Sequence, residues 1–197
     1  TLITSLVRDR DLDLVIANAC VSGGSGFNAT FSVFDINVGG FSAGHPGSYY
    51  AEKNYARNGK TGQVPHLQKY HGTDTFLTEA LTLEANRHIE ACVKEQKPFF
   101  LHMSHYALHT PFDSDPRFAK NYAQSGRNKH AQAYATLVEG MDKSLGDLIV
   151  KLNELKVADN TLIIFVAAPF GEAAGLLLAG CRELGFKRLK TGASRVS

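Results

Sequence analysis

KPFFLHMSHYALHTPF, Lys97 to Phe112, is the stretch on which the reading of this chain turns. Pro98 punctuates its start, Phe99 to Met103 are almost all large and apolar, and Pro111 stops the run. This predicts a buried strand that ends in a histidine-rich turn. Such a strand end is where α/β enzymes place their chemistry, because a rigid scaffold there holds polar groups on a loop. Three histidines fall within it: His102, His105 and His109. On pattern alone the segment suits a hydrolase site, a metal site or a polar strand end.

Working outward, two helices flank it. Thr75 to Lys94 places Leu77, Leu81, Ala85, Ile89 and Cys92 on one face, with Asp74 in position to cap its start. From Tyr134, residues Leu137, Val138, Met141, Leu145, Leu148, Ile149, Leu152 and Leu155 recur at steps of three and four. That stripe is expected to bury against a sheet. Asp159-Asn160 reads as a turn, and LIIFV, Leu162 to Val166, as a strand covered on both faces. Asp11 to Ile16 alternates polar and apolar as a short strand does, Ser22 to Ser25 reads as a flexible connection, and Gly39 to Gly47 as an ordered glycine-rich loop. Tyr49 to Thr73, polar with scattered aromatics, reads as a long surface excursion. Strand, loop, helix and strand in this order give a crossover onto a largely parallel sheet.

Composition bounds the function classes. A chain of 197 residues can bury one sizeable core. The net charge of +2, with both signs interspersed, leaves no footprint for nucleic acid or an anionic membrane. No apolar run approaches the roughly 20 residues of a membrane span. Three scattered cysteines without a CxxC pattern argue against a disulfide scaffold or a structural zinc. The chain starts at Thr1 with no signal-peptide pattern, which fits a fragment or a processed chain.

The run PFFLHMSHYALHTP resembles the strand and loop of the type I sulfatases, of the alkaline-phosphatase-like superfamily, in which an apolar strand leads to Tyr, small residues and His-Thr-Pro. Four more segments match in order: FDINVGGFSAGHPGSYY (Phe34 to Tyr50), TFLTEALTLEANRHIE (Thr75 to Glu90), YATLVEGMDKSLGDLIVKLNELKVADNT (Tyr134 to Thr161) and LIIFV. The resemblance implies an α/β sandwich with a mixed, mostly parallel sheet and helices on both faces, here as an incomplete domain. It divides the chain into an unmatched N-terminal segment (1–33), a sulfatase catalytic-domain fragment (34–166) and an unmatched C-terminal tail (167–197). The complete family enzyme is a sulfuric ester hydrolase. A formylglycine nucleophile attacks sulfur beside a calcium or magnesium ion, and the ligands are sulfated small molecules or sugars. The family is periplasmic, secreted or lysosomal.

Departures from the family pattern decide the functional expectation. The cysteine segments read Cys20-Val21-Ser22, Cys92-Val93-Lys94 and Cys181-Arg182-Glu183, none with the Pro and Arg of the formylglycine motif Cys-x-Pro-x-Arg. Where the family reads Ser-Asp-Asn-Gly after its strand, this chain has Ala167, Ala168, Pro169 and Phe170. Both ends of the match break off sharply, as a shifted reading frame would produce. The resemblance makes His109 the catalytic-position histidine and His105 and His45 candidates for substrate binding; no metal ligand is expected in this chain. His102 reads as a structural histidine, His66 and His71 as solvated, and Lys190 as a coincidence. Asp35 and Asn37 lie on a substrate-side loop and not at a metal site. The expectation is an inactive sulfatase-family chain. The alternatives are a non-catalytic binding module for a sulfated ligand, or a phosphate-ester hydrolase of the same superfamily.

Overall fold

The computed structural model describes residues 13–17, 35–40, 45–58, 62–166 and 175–180. Five strands form one sheet: β1 (Asp13–Ala17), β2 (Ile36–Val38), β3 (Phe99–Ser104), β4 (Thr161–Val166) and β5 (Gly175–Gly180). Their order across the sheet is β2-β1-β3-β5-β4. β1 pairs parallel with β2 and with β3, Val15 standing opposite Ile36 and Leu101. β5 runs antiparallel between β3 and β4. Four strands therefore share a direction and one opposes them, a mixed and mostly parallel sheet. β1 lies within 1–33 and β5 within 167–197, so both segments outside the matched region contribute a strand.

Among the described residues three α-helices accompany the sheet: α1 (Leu77–Lys94), the short α2 (Ala119–Tyr122) and α3 (Lys129–Glu154). α1 packs on β1 and β3, and α3 lies along α1. The expected face of α1 is buried, with Leu77, Leu81, Ala85, Ile89 and Cys92 all closed to solvent. Its start differs from the sequence reading. Asp74 does not cap it; the helix begins at Leu77 after an extended Phe76 with no side-chain cap. Leu77 N–H instead donates to the carbonyl of Tyr49 at 2.9 Å, so a tertiary contact satisfies a donor that a capping side chain would have taken. α3 is capped locally, by Asn128 accepting from Ala131 N–H at 2.9 Å.

The buried stripe of α3 is rotated from the one its sequence suggests. Leu137, Leu148 and Leu152 are fully buried, but Tyr134, Val138 and Ile149 are exposed. The remaining buried positions are small: Ala133, Thr136, Gly140 and Ser144. The helix faces α1 rather than the sheet, and small side chains let two helix backbones approach. Ser144 Oγ lies 2.6 Å from Thr82 Oγ1 across that contact.

Two other expectations are revised. β4 is not covered on both faces: Leu162 to Phe165 are all exposed, Leu162 at 53%. With β5 inserted beside β3, β4 becomes the last strand of the sheet, beyond the cover of α1. The segment Tyr49 to Thr73 is no loose excursion, since Tyr49, Tyr55, Ala56, Val64 and Leu67 are completely buried. Its polar residues also anchor it. Glu84 on α1, 3% exposed, accepts from Tyr70 Oη at 2.7 Å and pairs with Lys69 and Arg87. Burial pushes the Glu84 carboxyl up, but the donors Lys69, Tyr70 and Arg87 outweigh it and hold the group below its ordinary range.

Candidate functional site

β3 alternates as a strand packed on one face should. Phe99, Leu101 and Met103 are buried, and Phe100 and His102 are half-buried. His102 Nε2 lies 3.0 Å from Ser104 Oγ, and burial lowers its pKa. The chain then turns. His109 N–H donates to the carbonyl of Tyr106 at 2.9 Å, Leu108 adopts φ +76°, and the Thr110-Pro111 peptide is cis. A left-handed backbone at a bulky residue is rare and persists only where the surroundings over-determine it.

Those surroundings come from 45–50. The Tyr49 hydroxyl donates to the carbonyl of Tyr106 and, at 2.9 Å, to that of His109. Asp113 Oδ2 accepts from Ser48 Oγ at 2.8 Å and from Tyr49 N–H at 2.9 Å. Tyr50 Oη donates to the carbonyl of Ser114 at 2.8 Å. The two segments that carry His45 and His109 are thus interlocked by groups of Ser48, Tyr49, Tyr50 and Asp113. Sequence reasoning gave none of these four a role. The SYY triplet and the acidic residue just after Pro111 were the available signals.

The three sequence-predicted site residues stand in different environments. His109 is half-buried at the turn. His45 is exposed, its Nδ1 lying 3.3 Å from the Pro46 carbonyl. His105 is 1% exposed, with Nε2 2.9 Å from Ser144 Oγ and Nδ1 without a hydrogen-bond partner. Desolvation drives its pKa down to about 4. In this conformation His105 faces the α1–α3 contact. Asn37 closes a local turn, its Oδ1 accepting from Gly40 N–H at 3.0 Å around Gly39 at φ +82°, a conformation that favours glycine.

A further anchor sits behind the loop. Asp115, fully buried, takes a fork from Arg117, with Nε 3.0 Å from Oδ1 and Nη2 2.7 Å from Oδ2. Its N–H donates to Thr136 Oγ1 on α3 at 2.9 Å. A methyl group on Gly140 would stand 3.1 Å from Asp115 Oδ2, so a glycine is what lets this carboxylate sit against α3.

Among the described residues no three His, Cys, Asp or Glu side chains gather as a metal site. Ala167, Ala168, Pro169 and Phe170 offer no side-chain oxygen or nitrogen, whatever their placement. Among the described residues Cys92 is buried; Cys20 and Cys181 lie outside them, as does Lys190.

Comparison with known proteins agrees with this architecture. The Sulfatase family model matches residues 24–167. Human steryl-sulfatase is 36% identical over 91 residues, 46% of this chain and 14% of that enzyme. The N-acetylgalactosamine-6-sulfatase of Canis lupus familiaris is 31% identical over 121 residues, 61% of this chain and 19% of the relative. Ps i-CgsB superimposes with a TM-score of 0.60 at 17% identity, over 92% of this chain and 47% of that one. Its complex with k-i-k-neocarrahexaose superimposes with a TM-score of 0.59. The chain therefore spans less than half the length of each of these proteins. Its fold is the α/β fold of the alkaline-phosphatase-like superfamily, and the chain belongs to the sulfatase family.

Proposed function

We propose that this chain carries the substrate side of a sulfatase domain and does not itself hydrolyse sulfate esters. One observation supports the reading above others. The loops of His45 and His109 are locked together by Tyr49 and Asp113, while no cysteine of this sequence stands in Cys-x-Pro-x-Arg and Ala168 and Pro169 occupy the positions of the family's Asp and Asn. Attack on a sulfate ester needs a strong nucleophile in line with the leaving oxygen and preorganised charge on the sulfate oxygens. His109 can supply a hydrogen bond or a proton to the ester and neither of those.

What survives is enough to hold a sulfated ligand without cleaving it. Binding an anion requires fewer groups than displacement at sulfur, and a loop fixed before the ligand arrives loses little entropy on binding. The ligand class is a sulfated small molecule or sugar. The relatives are named for steryl sulfates and for N-acetylgalactosamine 6-sulfate, and a structural neighbour holds k-i-k-neocarrahexaose. Periplasmic, secreted or lysosomal placement goes with the family.

A fluorogenic aryl sulfate assay tests the reading, run with and without added calcium. His109→Ala and a complete family enzyme serve as controls. The expected result is no turnover above background for this chain. Turnover that disappears in His109→Ala would overturn the proposal.

A further inference from the structure

Beyond the His109 loop, the chain folds a second recess. It has a volume of about 470 Å³ and is lined by Phe112, Tyr122, Arg127, His130 and Tyr134, together with two alanines of α3. A space of this size is in the range that encloses a single ring-sized ligand. Its walls are aromatic and mutually braced. The rings of Phe112 and His130 are 4.6 Å apart between centroids, and those of Phe112 and Tyr134 meet edge to face at 5.5 Å. Ala131 and Ala135 keep the space between them open.

The charge at this recess is unspent. The Arg127 guanidinium has no ion pair among the described residues. Its backbone is nevertheless held on both sides. Arg127 N–H donates to Ser125 Oγ at 3.4 Å, and its carbonyl accepts from Gln132 Nε2 at 2.8 Å. Of the Glu139 carboxylate on α3, Oε1 accepts from Asn121 Nδ2 at 2.8 Å. That leaves the ring faces of the tyrosines as apolar contact surface and Arg127 as the available charge. A planar guanidinium beside aromatic walls suits an anion attached to a ring, the fork taking the oxyanion and the walls taking the ring's apolar face.

We infer that this recess is a ligand subsite for a six-membered ring bearing an exocyclic anion, with Arg127 holding the anion and Phe112 and Tyr134 the ring. The inference does not depend on the role proposed for His109. Aryl sulfates, sugar sulfates and uronates share the recognised chemistry, and the test separates them.

The test is an NMR titration of the ¹⁵N-labelled full chain with three probes: an aryl sulfate, N-acetylgalactosamine 6-sulfate and glucuronate. Each is paired with its uncharged parent ring. At least one anionic probe should shift the amides of Arg127 to Tyr134 saturably, and removing its anion should weaken binding about tenfold, as loss of a charge-assisted contact does. Arg127→Gln should give the same loss and leave the parent ring's weak binding unchanged. Tyr134→Ala should weaken ring and anion-bearing ring alike. Shifts confined to 105–110, equal binding of charged and uncharged rings, or no shift with any probe would overturn the inference. The comparison of charged with uncharged rings needs no variant, so it holds even if a substitution impairs folding. Loss of binding in Arg127→Gln with retained shifts at 105–110 separates this subsite from the His109 reading.

Discussion

His105, one residue past the end of β3, and Ser144, in the middle of α3, lie 2.9 Å apart through Nε2 and Oγ, and Thr82 of α1 extends the chain at 2.6 Å. One imidazole thereby ties a strand end to two helices inside the core. Because burial brings its pKa from 6.5 to about 4, the unfolded chain binds a proton in the interval between those values and the folded chain does not. Stability is therefore complete above about pH 6.5 and falls as pH drops towards 4, by an amount on the order of a few kcal/mol. His102 and His88, also lowered by burial, act in the same direction. Urea midpoints measured from pH 7 to pH 4 should fall, and His105→Gln should flatten the slope in that window while lowering stability at pH 7. An unchanged slope in His105→Gln would remove His105 from the account.

Two apolar residues ten positions apart on α3 should respond differently to truncation. Leu148 is fully buried and Val138 is 38% exposed. Leu148→Ala is expected to cost about 2–5 kcal/mol through lost burial and a residual cavity. Val138→Ala should stay within about 0.5 kcal/mol of the parent chain. Chemical denaturation of both variants checks the rotated face of the helix.

Tyr49→Phe deletes one oxygen from the centre of the site. Two carbonyls, of Tyr106 and His109, lose their shared donor while the stacked contact of the ring with Phe76 at 5.5 Å stays. The Tyr106 carbonyl keeps the His109 N–H as donor, so a cost of about 1 kcal/mol is expected from the lost hydroxyl bonds. Hydrogen exchange at the His109 amide should accelerate more than exchange in the interior of α1. Uniform acceleration across the molecule would mean that the hydroxyl supports global stability and not the loop.

β4 ends the sheet with four exposed apolar residues in succession, and an open edge of that composition templates pairing with other chains. Ile164→Lys should raise the concentration at which the chain remains monodisperse in sedimentation. Glu154→Lys, on the exposed end of α3, should not. If both substitutions act equally, charge in general and not the edge strand is responsible.

Local patterns explain what could be read in advance. The 3.6-residue spacing of Leu77, Leu81 and Ile89 located α1 and its buried face, and the Pro-bounded run Phe99 to Met103 located β3. His102 reads as a structural histidine, and its Nε2 lies 3.0 Å from Ser104 Oγ. The stripe of α3 misled because hydrophobicity weights Val138 and Ile149 above Gly140 and Ser144. Close helix packing selects the small residues instead. His105 and His109 look alike in sequence, four residues apart, yet one is sealed against Ser144 and the other sits half-buried at the turn.

The sequence by itself determined α1, β3, β4 and the family, and it contains neither Cys-x-Pro-x-Arg nor Asp-Asn after β4. Periodicity is local, and the absence of Cys-x-Pro-x-Arg and of Asp-Asn after β4 is a matter of which atoms the side chains contain. Tertiary structure alone decided three things: that Tyr49 clamps the His109 turn, that β4 stands at an exposed edge with β5 between it and β3, and that Arg127 borders an aromatic recess. Each depends on residues distant in sequence meeting in space, as Tyr49 and His109 do across sixty positions. No local pattern encodes that meeting, because it is fixed by how the whole core closes.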